Sequence, residues 1–340
     1  MAVPFFLIIH TNTIKSKMKK DAVVGIDVGG TFTKFGIVDR MGNILIESSV
    51  PTNQSDNVDE YLRELTGSLN DSICQVGDVV DICGIGIGAP DASYKNGTIE
   101  YATNLKWGQN KIVPFVELFR KYYSVPVAIT NDANAAAIGE MLYGGARGVK
   151  DFILITLGTG VGSGLVVNGQ LVYGNDGFAG EIGHVRVREN GRECGCGKRG
   201  CLEAYTSAPG VIRTVFELLA KYNGGSELSR YSFDELTSEK IYRAAVNGDA
   251  IALEAFHITG EILGSALADS VAHTSPEKIF LFGGLARSGD LILRPTREYF
   301  EKNLMTIYKN KIAIELSSLT DANVAVLGAS ALIWEEINNG

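Results

Sequence analysis

Positive charge is scarce in the sequence, and this shortage excludes whole classes of partner. The 31 Lys and Arg residues are outnumbered by 39 Asp and Glu residues, which gives a formal net charge of -8. Polyanions are bound by clustered lysine and arginine side chains, so neither a nucleic-acid surface nor a basic membrane anchor is expected. The predicted partners are therefore small molecules or other proteins.

Long hydrophobic runs are missing as well. The run at residues 4–9 is too short to span a bilayer. Its lysines follow it instead of preceding it, and no small-residue cleavage site comes after it. We interpret residues 1–21 as an N-terminal extension, with Met18 as an alternative start and the first core strand beginning at Ala22. A cytoplasmic protein in which no other segment crosses a membrane is expected.

Cysteines are few, since the chain has five, an odd number. A reducing cytoplasm disfavours structural disulfides, so the thiols need another explanation. Cys74 and Cys83 lie in apolar stretches and are predicted to be small buried hydrophobic residues. The other three, Cys194, Cys196 and Cys201, lie close together in the sequence.

A repeated unit organises the chain. Residues 23–49 and 152–174 share one plan, in which two apolar runs joined by a glycine-rich turn lead through a second turn to a third strand. Elsewhere strands alternate with helices, which is typical of an α/β architecture. Helices are predicted at residues 209–221, 238–247 and 250–272, and Asp321 is predicted to cap a last helix that runs toward Trp334.

The length of 340 residues is enough for two domains, each with its own apolar core. We assign residues 22–131 together with 322–340 to a small α/β domain, and residues 132–321 to a large α/β domain. Two such domains would face each other across a cleft with one glycine-rich loop on each wall. Hinge closure around a ligand is expected where the chain crosses between them, near Asn131 and Asp321.

The two glycine-rich loops have the composition of phosphate-binding loops. Glycines let backbone N–H groups approach phosphate oxygens closely, and a threonine hydroxyl adds a donor. For either loop alone, the alternative is that the glycines only permit a tight hairpin. A dinucleotide-binding helix is not expected, because β-forming residues follow the second loop. The candidate phosphate-binding residues are Gly29, Gly30 and Thr31 in the first loop and Gly158, Thr159 and Gly160 in the second.

Two further features belong with these loops. Asp27 precedes the first loop, where its carboxylate can hold Mg²⁺ directly or through water, as phosphoryl transfer requires. Gly283 and Gly284 follow an apolar strand and are predicted to let the flat ring of a nucleotide lie against the backbone. A plain strand-to-helix turn is the alternative at this position.

An acid stands where one strand ends and a helix begins, at Asn131 and Asp132. Open α/β sheets bind ligands at the carboxyl ends of their strands, and Asp132 can accept a proton from a substrate hydroxyl during phosphoryl transfer. Asn and Asp are also preferred helix N-caps. The local sequence therefore leaves a catalytic and a structural interpretation open.

The three clustered cysteines have a histidine nearby. His184, Cys194, Cys196 and Cys201 offer four ligands of the types that zinc prefers, at spacings that let one loop surround a tetrahedral ion. Four protein ligands leave no open coordination position, so the expected zinc is structural and not catalytic. A redox pair would more naturally be C-x-x-C in a thioredoxin-like context, and free thiols are the remaining alternative.

Five motifs, taken in order, resemble those of the ROK family of sugar kinases. They read DVGGTFTK, NDANAAAIGE, GTGVGSG, GEIGH and CGCGKRGCLE. The resemblance covers residues 22–335 and is closest to the bacterial glucokinases of that family. It implies an α/β chain with a two-domain actin/hexokinase-like fold, which is related to ribonuclease H, and an interdomain cleft.

The resemblance also implies a reaction and the residues that perform it. The reaction is ATP-dependent phosphorylation of a hexose at its 6-hydroxyl, with Asp132 as the base and Asp27 organising Mg²⁺. Lys34 would approach a phosphate, with an exposed structural lysine as the alternative. His184 would bind zinc with one ring nitrogen and face the sugar with the other. The implied sugar ligands are Asn104, Asn131, Asp132, Glu181, His184 and Glu203.

The substrate is the least defined part of this expectation. Glucose is expected, with mannose, fructose, N-acetylglucosamine and N-acetylmannosamine as alternatives, and polyphosphate is an alternative donor to ATP. Pro90 is followed by Asp91 where the family pattern has glycine, which leaves open how the backbone of this turn approaches the sugar. The family's habit implies a homo-oligomer, either a dimer or a tetramer.

Two other classes of function stay in view. A sugar-sensing transcriptional regulator would need a helix-turn-helix ahead of the first strand, and about twenty residues are too few for one. The chain would then be such a regulator without its DNA-binding module. A catalytically silent sugar-binding protein is the other alternative, and the retained Asp27 and Asp132 argue against it.

Overall fold

The computed structural model of the protein describes residues 19–222, 225–319 and 324–339. Residues 1–18 of the expected N-terminal extension and the predicted cap Asp321 lie outside the described residues. The first core strand begins at Lys20, slightly earlier than the predicted Ala22.

The first half of the chain builds a five-stranded sheet and a small three-stranded one. Its elements are β1 (Lys20–Val28), β2 (Phe32–Asp39), β3 (Ile44–Pro51), α1 (Val58–Val76), β4 (Val80–Ala89), β5 (Ala92–Ser93), β6 (Thr98–Glu100), β7 (Ile112–Val113), α2 (Phe115–Arg120) and β8 (Val127–Asn131). The large sheet has the order β3-β2-β1-β4-β8, and the small one has the order β5-β6-β7. β1 pairs antiparallel with β2 and parallel with β4, and β4 pairs parallel with β8.

The second half repeats this plan and adds most of the helices. Its elements are α3 (Asp132–Tyr143), β9 (Phe152–Leu157), β10 (Val161–Val167), β11 (Gln170–Leu171), α4 (Glu203–Thr206), α5 (Ala208–Lys221), α6 (Ser238–Val246), α7 (Ala250–Thr274), β12 (Lys278–Phe282), α8 (Asp290–Asn303), β13 (Ala313–Leu316) and α9 (Val324–Asn339). The sheet order is β11-β10-β9-β12-β13. The predicted meanders and helices are therefore confirmed, although the third strand of the second meander has only 2 residues.

The strand sequences match their places in the sheets. β1 and β4 lie inside the first sheet and combine Val and Ile with small residues, and most of their residues are buried because both of their faces are covered. β3 lies at the edge and alternates half-buried with exposed residues, as a strand with one face in solvent does. The carboxyl ends of β4 and β8 come together, which places Ala89 beside Asn131.

The last helix, α9, returns to pack on the first sheet. Glycines on β1 and β4 make this close approach possible: a Cβ at Gly25 would lie 2.1 Å from the Val326 carbonyl oxygen. A Cβ at Gly86 would lie 1.9 Å from the carbonyl oxygen of Ala329. Because these glycines have no side chain, the backbone of α9 packs directly against this face of the two strands.

Four apolar clusters fill the interior of the part of the chain that the structure describes, the smallest of them around Val23 and Trp334. One lies under the first sheet and includes Phe35 and Trp107, and a larger one lies among the helices of the second half and includes Phe256. A third cluster joins α3, β9, β12 and α9 through residues such as Phe152 and Phe280. Because α3 and α9 contribute to this shared cluster, the two halves meet along α3, which begins at Asp132.

Two expectations about apolar segments are wrong. Cys74 is exposed and Cys83 is only partly buried, so neither is the fully buried hydrophobic residue that was predicted. Cys74 lies on the outward face of the amphipathic α1.

One helix, α7, is long and apolar enough to cross a membrane by length and composition alone. In that stretch 61% of the residues are buried inside the fold, where α7 packs against α8.

Candidate active site

The first wall of the site is the hairpin between β1 and β2. The N–H of Gly29 donates to the Phe32 carbonyl oxygen at 3.2 Å, which closes the turn. Asp27, near the end of β1, is paired in register with Lys34 on β2 and with Gly88 on β4. The first glycine loop is thus a hairpin that carries an acid and a lysine at its base.

Asp27 is an unusual acid in electrostatic terms. Its pKa is raised to about 6, first because burial desolvates the carboxyl and second because the charge of Asp132 repels it, while Lys34 opposes the shift. The two carboxyl groups therefore interact, although they lie on different elements. Lys34 offsets the repulsion between the two carboxylates only in part. A divalent cation would neutralise the remaining negative charge, so the site suits such an ion.

Asp132 lies where β8 passes into α3. The Asn131 side-chain oxygen accepts a hydrogen bond from the Ala133 N–H at 2.8 Å, so Asn131 is the N-cap of α3. The Asp132 carboxylate also accepts from that N–H, at 2.7 Å, and the residue is exposed to solvent. Asn131 therefore takes the structural role of the N-cap, and one oxygen of Asp132 shares the same donor.

The pKa of Asp132 is raised because surrounding protein atoms desolvate its carboxyl, and the hydrogen bond from Ala133 opposes this shift. An acid with a raised pKa is a better proton acceptor once it is ionised. This property is the one required of a general base that acts on a hydroxyl group.

The second wall is the hairpin between β9 and β10. The N–H of Gly158 donates to the Gly160 carbonyl oxygen at 3.0 Å, which closes this loop as a hairpin turn. Antiparallel strands flank the loop on both sides, so the dinucleotide-binding arrangement is absent here, as expected. Gly158 also accepts from the Ala208 N–H at 2.8 Å, which joins the loop to the start of α5.

Gly283 and Gly284 lie beside this second loop. The N–H of Leu285 donates to the Leu157 carbonyl oxygen at 3.1 Å. Gly283 has a φ of 104°, and a Cβ there would lie 2.5 Å from the same Leu157 oxygen. The position thus requires glycine for the turn itself, while the half-exposed backbone leaves a surface at the loop that a planar ring can contact.

The cysteine loop has the geometry of a zinc site. One ligand atom from each of His184, Cys194, Cys196 and Cys201 lies within 4.8 Å of the others. The Cys196 and Cys201 sulfurs are 3.7 Å apart, and the Cys194 sulfur is 3.5 Å from His184 Nδ1. A tetrahedral zinc with ordinary bond lengths separates two sulfurs by about 3.8 Å and a sulfur from a nitrogen by about 3.6 Å. The four residues therefore fit this ion.

The two ring nitrogens of His184 have different neighbours. Its Nδ1 faces Cys194, while its Nε2 lies 3.9 Å from a carboxylate oxygen of Glu181. The two residues are joined by the 3₁₀ turn Ile182–His184. The arrangement sets one ring nitrogen against the cysteines and the other toward the expected sugar ligands.

Glu203 connects this loop with the second glycine hairpin. One carboxylate oxygen accepts from the Val161 N–H at 3.0 Å, and the other lies 3.4 Å from the Cys194 sulfur. A Cβ at Gly160 would come within 2.7 Å of Glu203. The glutamate therefore lies against the second glycine loop and the metal cluster at once.

Asn104 is fixed by a residue that the sequence analysis did not identify. Asn53 donates through Nδ2 to the Asn104 carbonyl oxygen at 2.8 Å and also to the carbonyl oxygen of Gly30. Its side-chain oxygen accepts from the Lys106 N–H at 2.8 Å. Asn53 therefore joins the first glycine loop to the Asn104 segment. It follows β3 as an ordinary polar residue, and no motif marks it.

Four of the expected sugar ligands, Asp132, Glu181, His184 and Glu203, interact electrostatically. The pKa of Glu181 is raised, first by desolvation and then by the charges of Asp91, Asp132 and Glu203, whereas His184 opposes the shift. These residues belong to four separate segments of the chain, and their electrostatic influence on Glu181 indicates that the fold brings them near one another. Asp91, which the sequence marked only as a departure from the family pattern, is among these residues.

Asp132 interacts electrostatically with two groups of the expected residues. Its charge acts on Asp27, which pairs with Lys34 at the base of the first glycine loop, and on Glu181, which lies beside His184. The second glycine loop joins this arrangement through Glu203. Two glycine hairpins with acids between them, on two repeated α/β halves, define a two-domain actin/hexokinase-like fold.

Comparison with known proteins identifies the family. The ROK family profile matches residues 23–336, and the chain belongs to that family. The glucokinase of Halalkalibacterium halodurans is 34% identical over 320 residues, which cover 93% of this chain and 96% of that protein. The xylose repressor of Caldicellulosiruptor bescii is 30% identical over 318 residues, which cover 93% of this chain and 79% of the repressor.

A solved structure agrees with this result. The crystal structure of a ROK family glucokinase from Streptomyces griseus, in complex with glucose and AMPPNP, superposes with a TM-score of 0.74 at 31% identity. The match covers 92% of this chain and 98% of that one. The family and the fold predicted from the motifs are both confirmed.

Proposed function

We propose that the protein transfers the γ-phosphoryl group of ATP to the 6-hydroxyl of a hexose, with glucose as its main substrate. The position of Asp132 carries this proposal. Its charge acts on Asp27, at the base of a glycine hairpin, and also on Glu181, beside the cysteine loop. One acid thus lies between a phosphate-binding side and a sugar-binding side.

The proposed chemistry assigns Asp132 the proton of the attacking hydroxyl. Its raised pKa, which results from desolvation, favours proton uptake as the oxygen attacks phosphorus. Asp27 would hold Mg²⁺, which supplies charge neutralisation at the phosphates when bound. Lys34, the cross-strand neighbour of Asp27, adds a positive charge on the phosphate side.

Backbone N–H groups of the two hairpins, other than those of Gly29 and Gly158 that close the turns, would bind the phosphates from both walls. The residues proposed to form the two phosphate-binding loops are Gly29, Gly30, Thr31, Gly158, Thr159 and Gly160, with Gly283 and Gly284 against the nucleotide's ring. Three contacts fix these loops: Gly29 to Phe32, Gly158 to Gly160, and Leu285 to Leu157. Preformed donors of this kind lose little entropy when the nucleotide binds.

The sugar would be held by polar groups from several segments. Asn104, Asn131, Glu181, His184 and Glu203 supply the donors and acceptors that hexose hydroxyls need. A buried hydroxyl left without a partner costs about 1 to 3 kcal/mol. Such a set of partners therefore separates sugars that differ in the direction of one hydroxyl.

Structural zinc belongs to the same proposal. His184, Cys194, Cys196 and Cys201 would hold the ion, and the ion would fix the ring of His184 for the sugar. The metal lies outside the phosphoryl-transfer step, because four protein ligands complete its coordination.

The proposal extends to the location, the oligomeric state and the partners of the protein. We propose that it works in the cytoplasm as a homo-oligomer, either a dimer or a tetramer. Its partners would be hexose and ATP, with neither nucleic acid nor a membrane. The proposed small domain (residues 22–131 and 322–340) closes on the large one (residues 132–321) around these substrates. The packing of α9 on β1 supports the return of the chain to the first domain.

The sugar-sensing regulator is kept as a second candidate because of one observation. The xylose repressor relative is 30% identical to this chain, which covers 79% of that protein. A regulator without catalysis would bind a sugar but leave ATP unchanged. Turnover therefore distinguishes the two functions.

A coupled assay of ADP release across a panel of hexoses tests the proposal. The panel contains glucose, mannose, fructose, N-acetylglucosamine and N-acetylmannosamine, with ATP or polyphosphate as donor and Mg²⁺ present. The highest kcat/KM is expected for glucose with ATP. Binding of sugars without any phosphate transfer would support the regulator instead.

A further inference from the structure

Asp91 occupies a backbone conformation that glycine favours. It lies in the turn between β4 and β5 with a φ of 52°. A residue with a side chain pays for this left-handed conformation, and Asp or Asn usually compensates through a local side-chain hydrogen bond. No such bond to the Asp91 carboxylate is found among the residues that the structure describes. The conformation therefore has no local compensation.

The turn around Asp91 is nevertheless held firmly. The Asp91 carbonyl oxygen accepts from the Glu100 N–H at 2.9 Å. Ala92, the next residue, is fully buried and pairs with Ile99 on β6. Ser93 donates from its hydroxyl to the Asp176 carbonyl oxygen at 2.9 Å, which joins the turn to the other half of the chain. The backbone of Asp91 is thus fixed on both sides.

Asp91 lies two residues after Ala89, which pairs with Asn131 next to Asp132 and thus places the turn beside the proposed sugar site. The charges of Asp132 and His184 act on it, and its own charge acts on Glu181. The side chain is exposed, so it is accessible to a ligand from solvent. The pKa of Asp91 is raised, first by desolvation and then by Asp132, while His184 opposes the shift.

A strained residue with an unpaired polar group beside a catalytic acid indicates a function. We propose that Asp91 is a specificity-determining residue, whose carboxylate accepts a hydrogen bond from a hydroxyl or ammonium group of the hexose. The inference rests on the proposed function, because it takes the bound sugar as the partner of this site. The family pattern has glycine at this position, so the contact is a property of this chain and not of the shared motif.

Two variants distinguish the effect of the Asp91 carboxylate from the effect of its backbone conformation. Asp91→Gly removes the side chain and suits the left-handed conformation, so it is expected to fold. Asp91→Asn keeps the size and tolerates the same conformation, but it removes the negative charge. Asn168→Gly is the matched control. Asn168 has a φ of 54° in the β10–β11 turn, at the end of β10 that is remote from the second glycine loop.

The expected result is a change in KM without a comparable change in kcat. Asp91→Gly should raise the KM for the hexose about tenfold or more, the scale of a lost hydrogen bond to a charged group. Its kcat should stay within about threefold, because Asp132 is unchanged. Asn168→Gly should leave both constants as in the wild type.

Glucose and glucosamine identify the donor group. At about pH 6.5 the amino group of glucosamine is protonated. If the partner is an ammonium group, Asp91→Asn should impair glucosamine as strongly as Asp91→Gly does. If the partner is a hydroxyl group, Asp91→Asn should have an intermediate effect on both sugars.

The inference is overturned if both Asp91 variants keep the wild-type KM for both sugars, or if Asp91→Gly lowers it. Calorimetric titration of each sugar without nucleotide distinguishes this failure from that of the proposed function. A wild type that binds sugar but transfers no phosphate contradicts only the kinase. Equal sugar affinities of the wild type and Asp91→Gly contradict only the role of Asp91. A wild type that binds neither sugar contradicts both.

Discussion

Asp27 shows how a single residue combines a cost in stability with a role in function. Its pKa of about 6 in the folded protein exceeds the ordinary value of 3.8, mainly because of burial. The folded state therefore binds this proton more tightly than the unfolded chain does. The stabilising effect of that proton is complete below about pH 4 and is lost as the pH rises through about 6.

Asp27→Asn should stabilise the protein at about pH 7.5, because the buried charge is gone. A shift of about two units sets an upper limit of about 3 kcal/mol for the gain in the free energy of unfolding, and the gain should vanish near pH 4. Urea unfolding at both pH values measures it, with the exposed Asp234→Asn as the control. Activity should fall sharply in the same variant, because the proposed Mg²⁺ ligand is lost. Equal stability of the two proteins at about pH 7.5 would contradict the account.

At the residue scale, the sequence predicted groups that belong to motifs and missed groups that act through position. Asp27, Asp132 and the cysteine loop were identified because their neighbours in the sequence are distinctive. Asn53 was missed, since only the fold brings its side chain to Gly30 and Asn104. Cys74 was misplaced because local hydrophobicity does not show which face of α1 points outward.

The contact of α9 with the first sheet is the sharpest packing restraint at the scale of elements. Gly25→Ala should destabilise the protein by at least about 2 kcal/mol, because the new methyl group would overlap the Val326 carbonyl oxygen. Gly67→Ala is the matched control, since a Cβ there meets nothing within 4 Å on the exposed side of α1. It should stabilise the helix by about 0.5 to 1 kcal/mol. Thermal unfolding of both variants measures the difference, and similar melting temperatures would show that α9 packs elsewhere.

The cysteine loop is the second element whose role can be tested by itself. Purified protein is expected to contain about one zinc per chain, and Cys196→Ser should lose most of it. Glu203 touches both Cys194 and the second glycine loop, so removal of the metal should weaken glucose binding before the domain unfolds. Metal analysis and glucose titration of a chelated but folded sample measure the two effects. Unchanged glucose affinity without metal would limit the site to a structural role.

Strands and helices were more predictable than their arrangement. The glycine turns and apolar runs located the two meanders, because hairpins are determined locally. The small sheet β5-β6-β7 and the shared cluster around α3 were not predicted. The strands of the small sheet are short, and the residues of the shared cluster lie far apart in the sequence. No local hydrophobic periodicity therefore predicts either feature.

The whole molecule is expected to close around its ligands. Tyr94 stacks on Tyr173 with ring centroids 4.0 Å apart, and Lys95 donates to the Asn175 carbonyl oxygen at 2.6 Å. These contacts join the two halves beside the Asp91 turn, so movement should occur around them. Small-angle scattering with glucose should give a smaller radius of gyration than without it, because closure expels water from the cleft. A radius that does not respond to glucose would contradict closure of the two halves around the sugar.

The central claim is that Asp132 directs phosphoryl transfer from ATP to the 6-hydroxyl of glucose. Phosphorus and proton NMR of the products, recorded for the wild type and for Asp132→Asn, tests it most directly. The account predicts glucose 6-phosphate and equimolar ADP from the wild type. For the variant it predicts a rate lower by about 10² to 10⁴, the contribution of a positioned general base, with glucose binding retained. Phosphorylation at another hydroxyl, or an Asp132→Asn protein as fast as the wild type, would contradict it.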